Sequence, residues 1–167
     1  MKNWLTRITI PATVAAAAAF AGMAGPAVAA PPTPNFTEPF LLQDVFGNDC
    51  PGFDVTAQLT GKSKEIFLKQ DRVIAISPGM TITLTANGKT LTYLITGTTH
   101  TQTVTGGSKE VVSVGKNLLI VPAAGTHQEG LFYTTGNVNY ALTPSGGEER
   151  LFSGPGQVVD VCALLAR

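Results

Sequence analysis

Met80-Thr81-Ile82-Thr83-Leu84-Thr85-Ala86-Asn87-Gly88-Lys89-Thr90-Leu91-Thr92-Tyr93 is the stretch that decides the fold. Met80, Ile82, Leu84 and Ala86 alternate with threonine, and Leu91, Tyr93 and Ile95 resume the alternation after Asn87-Gly88. A period of two sends alternate side chains to opposite faces of a strand. Asn-Gly supplies the two positive-φ positions of a tight hairpin turn. The stretch therefore predicts two antiparallel strands with one apolar and one threonine face.

The same grammar extends in both directions. Phe53, Val55, Ala57 and Leu59 alternate with Asp54, Thr56 and Gln58. Short apolar runs at 66–68 and 73–76 flank Gln70-Asp71, and Gly106-Gly107 joins 98–104 to 110–114. Further strand-like runs lie at 118–121, 131–135, 138–143, 151–152 and 158–164, with Gly136-Asn137 as another tight-turn pair. Ten or eleven short strands joined by Gly, Pro and Asn, with no amphipathic helix, predict an all-β fold. An antiparallel β-sandwich is the expectation, with a barrel as the alternative.

The first 29 residues read differently. Lys2 and Arg7 precede an apolar stretch from Ile8 to about Ala24, and Ala27-Val28-Ala29 is a small-x-small cleavage site. This is the layout of a Sec-type secretory signal peptide. The expected organisation is a cleaved signal at 1–29, a Pro-rich lead-in and first strand at 30–49, and one β-sandwich domain at 50–167. Secretion to the extracellular side follows, with no membrane association after cleavage.

Only 13% of the chain is charged, against about a quarter in an ordinary soluble domain. With Lys2 and Arg7 removed, 9 basic residues face 11 acidic ones. That balance excludes a nucleic-acid binder, which needs a basic face, and a polybasic membrane-surface protein. It leaves neutral surfaces, proteins and sugars open as partners.

The chain has two cysteines, Cys50 and Cys162. An exported protein with two cysteines most simply pairs them. Such a bridge closes a loop of about 113 residues, for which the chain-entropy model gives roughly 4 to 5 kcal/mol as an upper figure. The pairing predicts that the first and last core strands are neighbours.

Residues able to do chemistry are few. No Ser sits in a G-x-S-x-G setting, and the only histidines are His100 and His127. Either could act as base in a secreted hydrolase. His127 and Glu129 are spaced by two, which on a strand puts both on one face. With His100 they form a candidate metal set, although no metal motif surrounds them. The aspartates at 44, 49 and 54 are five apart and do not form a calcium loop. No cofactor is implied.

Carbohydrate recognition usually needs aromatic platforms. The mature chain has no Trp, and Tyr133 and Tyr140 flank the Gly136-Asn137 turn, where they could face each other across a hairpin. They are the candidate ligand-binding residues. Threonine is the compositional oddity: 19 follow residue 30, with alternating runs at Thr81, Thr83, Thr85 and at Thr99, Thr101, Thr103, Thr105. Each run makes a row of hydroxyls on one face. Flat threonine arrays serve ice-binding proteins, but a twisted sandwich face does not hold a lattice match over distance.

The region from Cys50 to about Leu165 resembles small secreted β-domain proteins of actinomycete-type bacteria to which no activity is assigned. The likeness lies in Cys50-Pro51-Gly52-Phe53-Asp54-Val55, Leu59-Thr60-Gly61-Lys62, Ile95-Thr96-Gly97, Gly115-Lys116-Asn117-Leu118-Leu119, Thr135-Gly136-Asn137-Val138 and, most distinctively, the run from Gly154-Pro155-Gly156 through Val161-Cys162 to Leu165. The resemblance implies export, a β domain and the Cys50–Cys162 bridge, and it transfers no catalytic residue.

Three readings of function stand at this point. The first is a non-enzymatic, disulfide-pinned binding or surface-interaction module whose partner is another protein, the cell wall or a glycan. The second is a secreted hydrolase or metal-dependent enzyme using His100 or His127. The third is a carbohydrate-binding module with Tyr133 and Tyr140 in its site. Neither the partner nor the oligomeric state is legible.

Overall fold

The structure, a computed structural model, describes residues 32–34, 38–47, 49–123 and 128–166. The expected signal peptide at 1–29 and His127 lie outside the described residues. The elements run β1 (Thr33–Pro34), β2 (Phe40–Leu41), α1 (Leu42–Phe46), β3 (Thr56–Thr60), β4 (Lys62–Leu68), β5 (Arg72–Ile76), β6 (Thr81–Ala86) and β7 (Lys89–Leu94). They continue β8 (Thr98–Thr103), β9 (Lys109–Val114), β10 (Asn117–Val121), β11 (Gly130–Thr135), β12 (Asn137–Leu142), β13 (Glu148–Ser153), β14 (Gln157–Asp160) and α2 (Val161–Leu165).

The strands form three antiparallel sheets, ordered β1-β4-β5-β8-β9-β12-β13, β2-β3-β6-β7 and β10-β11-β14. None of these orders closes on itself, so the fold is an open all-β sandwich and not a barrel. The chain is simplest to follow as six long strands running up and down, each broken midway: β3–β4, β5–β6, β7–β8, β9–β10, β11–β12 and β13–β14. One half of every long strand enters the seven-stranded sheet. The other halves divide into two leaves, β3-β6-β7 and β10-β11-β14.

The breaks coincide with glycine. Gly61 separates β3 from β4 at φ +97°, and a Cβ there would lie 2.6 Å from the Gly79 carbonyl oxygen and the Met80 Cα. The joints of neighbouring strands thus pack backbone against backbone, which only glycine permits. Neighbouring joints are also hydrogen-bonded across strands: Ile95 N–H to the Met80 carbonyl at 2.8 Å, Gly97 N–H to the Lys116 carbonyl at 2.7 Å, Gly115 N–H to the Gly136 carbonyl at 2.8 Å and Gly156 N–H to the Asn137 carbonyl at 2.8 Å.

The two leaves face each other around the core. Ala57, Ile82 and Leu84 come from one leaf and Leu131 from the other, with Leu118, Ile120 and Tyr133 packed against them. One end is closed by the helices, whose Leu42, Val161 and Leu165 are fully buried. Cys50 and Cys162 are bonded there, with Cα atoms 5.4 Å apart. Lys89 Nζ donates to the carbonyls of Leu164 and Ala166, and Asn87 Nδ2 donates to Leu165 at 3.1 Å. The Asn87-Gly88 turn therefore clasps the C-terminal helix.

Three local expectations need correction. The run at 158–164 is not one strand: Asp160 accepts a hydrogen bond from Ala163 N–H at 2.9 Å and caps a helix that carries Cys162. The disulfide consequently joins that helix to a bridge-forming turn at Cys50–Phe53, not the first and last core strands. The Gly136 turn is not a hairpin, because β11 and β12 on its two sides belong to different sheets.

Candidate functional site: a threonine grid on the four-stranded sheet

The register of β3, β6 and β7 assembles an outward face. Thr56 pairs with Thr85 and Thr85 with Thr90; Gln58 pairs with Thr83 and Thr83 with Thr92; Thr60 pairs with Thr81 and Thr81 with Leu94. Directly paired residues share a face. Nine side chains therefore form a three-by-three grid of seven threonines, one glutamine and one leucine. Leu41, paired with Thr56, extends one corner. Leu94, 43% exposed, marks the opposite corner, and Leu41 is 37% exposed.

No position of the grid carries charge. Lys89 begins β7, but it pairs with inward-facing Ala86 and is held by the helix carbonyls. The back of the same strands is the core, with Ala57, Leu84, Ile82 and Ala86 buried. The platform is thus fixed by packing from behind. Across the front, the Thr83 and Thr92 hydroxyls are 3.1 Å apart and those of Thr85 and Thr90 are 3.3 Å apart. Neighbouring strands lie about 4.8 Å apart, and equivalent side chains recur at about 6.7 Å along each strand.

The second threonine run has a different fate. Thr99 and Thr101 on β8 lie between Ala75 and Val73 on one side and Ser113 and Val111 on the other. They form a single half-buried row among mostly apolar neighbours, so the two runs that look alike in sequence are not equivalent in space.

Among the described residues, His100 and Glu129 line different hollows. His100 is exposed on β8 between Ile74 and Val112, in a groove of about 220 Å³ with Arg72, Gln102 and Glu110. Glu129 lines a different, shallow hollow with Asp49, Asp54 and Gln43. Asp49 is buried and accepts from Val55 N–H at 3.1 Å, a structural role. Among the described residues, no group of three or more His, Cys, Asp or Glu side chains is placed to hold a metal ion.

Tyr133 and Tyr140 are also apart. Tyr133 stacks on Tyr93, with ring centroids 4.4 Å apart and planes inclined by 28°, and its hydroxyl donates to the Leu94 carbonyl at 3.2 Å. Burial raises the phenol pKa of both above the usual 10.0, and the neighbouring Tyr133 raises Tyr93 further. Tyr140 lies on β12 opposite Val111, and burial likewise raises its phenol pKa. Tyr93 and Tyr133 are half-buried and pack against the core, on the side of the sheet opposite the grid.

An apolar mouth of about 370 Å³ opens between the leaves, lined by Phe40, Phe46, Leu59, Met80, Leu118 and Ile120 among others. Among the described residues, no helix is long and apolar enough to cross a membrane.

The sequence signals the outward parity of Thr56, Gln58, Thr90 and Thr92, but not that they share a surface. β3 is separated from β6 by a whole hairpin, and only the sheet order brings them together. No protein-family profile, curated protein or solved structure matches the chain.

Proposed function

We propose that the protein is an exported, non-enzymatic binding module that holds its partner on the outer face of the four-stranded sheet. The observation that carries this reading is the grid: nine outward positions without a charge, on strands whose other face is the core. An uncharged rigid face keeps the energetic cost of desolvation low and loses little side-chain freedom on binding. The buried disulfide supports an oxidising compartment, in keeping with the export signal at 1–29. The separation of His100 from Glu129 counts against their sharing a metal ion.

The test is retention of the mature protein on envelope fragments of the exporting cell. Thr83→Lys with Thr92→Lys places two ammonium groups at the grid centre and is expected to reduce retention at least tenfold. His100→Ala is expected to leave it unchanged. Retention that survives the double lysine variant, or that His100→Ala abolishes, rules out this reading.

A further inference from the structure

We infer that the ligand of the grid is a neutral, hydroxyl-rich polysaccharide lying across β3, β6 and β7. The inference rests on the proposed binding face and adds its chemistry.

An uncharged face suits an uncharged ligand. The chain has 22 charged side chains, and none falls on the nine grid positions. A phosphorylated or carboxylated ligand would lose hydration there without meeting a counter-charge. A neutral polymer does not face that cost.

The hydroxyls of the grid balance donors and acceptors. A threonine hydroxyl has one O–H and two lone pairs. In the Thr83–Thr92 pair one O–H is used between the two oxygens. Among the described residues the other O–H and the remaining lone pairs have no partner and are left for a ligand, and the same holds for Thr85 with Thr90. Each pair offers both a donor and acceptors. A sugar hydroxyl is itself both, whereas a carboxylate only accepts and an ammonium only donates. The methyl group beside each hydroxyl meets the C–H surface of a sugar ring.

The grid repeats its contacts. Each hydroxyl pair offers a small contact, and no aromatic ring stands on the grid to add stacking. Rows recur along and across the strands, so a polymer engages several at once and gains through effective concentration. The same physics makes a short oligosaccharide a poor ligand. This separates the grid from a site built on aromatic platforms.

The experiment measures depletion of the mature, disulfide-bonded protein from solution by microcrystalline cellulose and by insoluble chitin. Depletion by at least one polymer is expected, unchanged in 0.5 M salt and not competed by the matching trisaccharide at millimolar concentration. The triple variant Thr83→Val, Thr85→Val, Thr92→Val keeps the shape and removes the hydroxyls; at least tenfold weaker depletion is expected. The single exposed change Thr92→Lys serves if the triple variant unfolds, with circular dichroism as the folding control. No depletion by either polymer, depletion indifferent to these variants, or depletion abolished by salt overturns the inference. Inhibition of ice recrystallisation without retention on either polymer also overturns it, by assigning the grid to a different lattice. If envelope retention remains grid-dependent while both polymers fail, the polysaccharide falls and the binding module stands.

Discussion

The Thr83 and Thr92 hydroxyls meet at 3.1 Å across β6 and β7, on a face whose reverse is formed by Ile82, Leu84 and Leu91. A cross-strand pair of this kind stabilises a sheet by about 0.2 to 1 kcal/mol. The pair is exposed, so its contribution to folding is expected to be small. Thr83→Val and Thr92→Val are each expected to change unfolding free energy by no more than about 1 kcal/mol, measured by urea titration. A loss of several kcal/mol would show that the pair is structural.

Removing the disulfide has a larger effect. Cys50 and Cys162 are 112 positions apart and clamp α2 over the end of the core. The double change Cys50→Ala, Cys162→Ala is expected to cost about 2 to 5 kcal/mol, read as a lowered denaturation midpoint. Thiol titration of the native and the denatured wild-type protein should find no free thiol. Two reactive thiols would contradict the bridge.

Asn87 has two jobs that substitution can separate. It sits at φ 52° in the turn, and its side-chain amide donates to the Leu165 carbonyl. Asn87→Gly keeps the turn and loses the bond, an expected cost of about 0.5 to 1.5 kcal/mol. Asn87→Ala loses the bond and strains the backbone, adding about 1 kcal/mol or more. Equal costs for the two variants would mean that the backbone conformation is irrelevant.

Gly61→Ala tests the joints. The new methyl meets the backbone of Gly79 and Met80 at 2.6 Å, in a positive-φ conformation. An expected loss of at least about 2 kcal/mol combines strain with displacement of the neighbouring joint. A calorimetric midpoint close to that of the wild type would refute the backbone-to-backbone packing.

The stacked tyrosines predict an alkaline limit. Burial raises the phenol pKa of Tyr93 and Tyr133 above 10.0 in the folded protein, and their proximity raises Tyr93 further. The unfolded chain therefore gives up these protons first as pH rises. Their stabilising contribution is fully present below pH 10 and is lost as pH climbs through the folded values. Spectrophotometric titration should place the tyrosinate transition above that of free tyrosine, and Tyr93→Phe with Tyr133→Phe should flatten the loss of stability.

Local pattern foretold much of this fold. The Asn87-Gly88 hairpin and the one at Gly106-Gly107 stand where the turn chemistry puts them, and the apolar runs flanking Gln70-Asp71 are paired strands. The same reasoning misread 158–164, because an apolar run of that length suits strand or helix and a single cap at Asp160 tips the balance. It misread Gly136 because a positive-φ glycine permits either a hairpin reversal or a change of sheet, and the choice depends on which neighbours are already paired.

The sequence by itself determined the strand class, the shared face of alternating threonines within each strand and the cysteine pairing. These depend on a period of two, on turn residues and on a count of two thiols. Only the tertiary structure decided that β3 lies beside β6, that one threonine run joins a grid while the other is half-buried, and that His100 and Glu129 stand apart. Strand order is set by how six bent strands bury their apolar faces together. That is a collective property of packing, and no local stretch of sequence contains it.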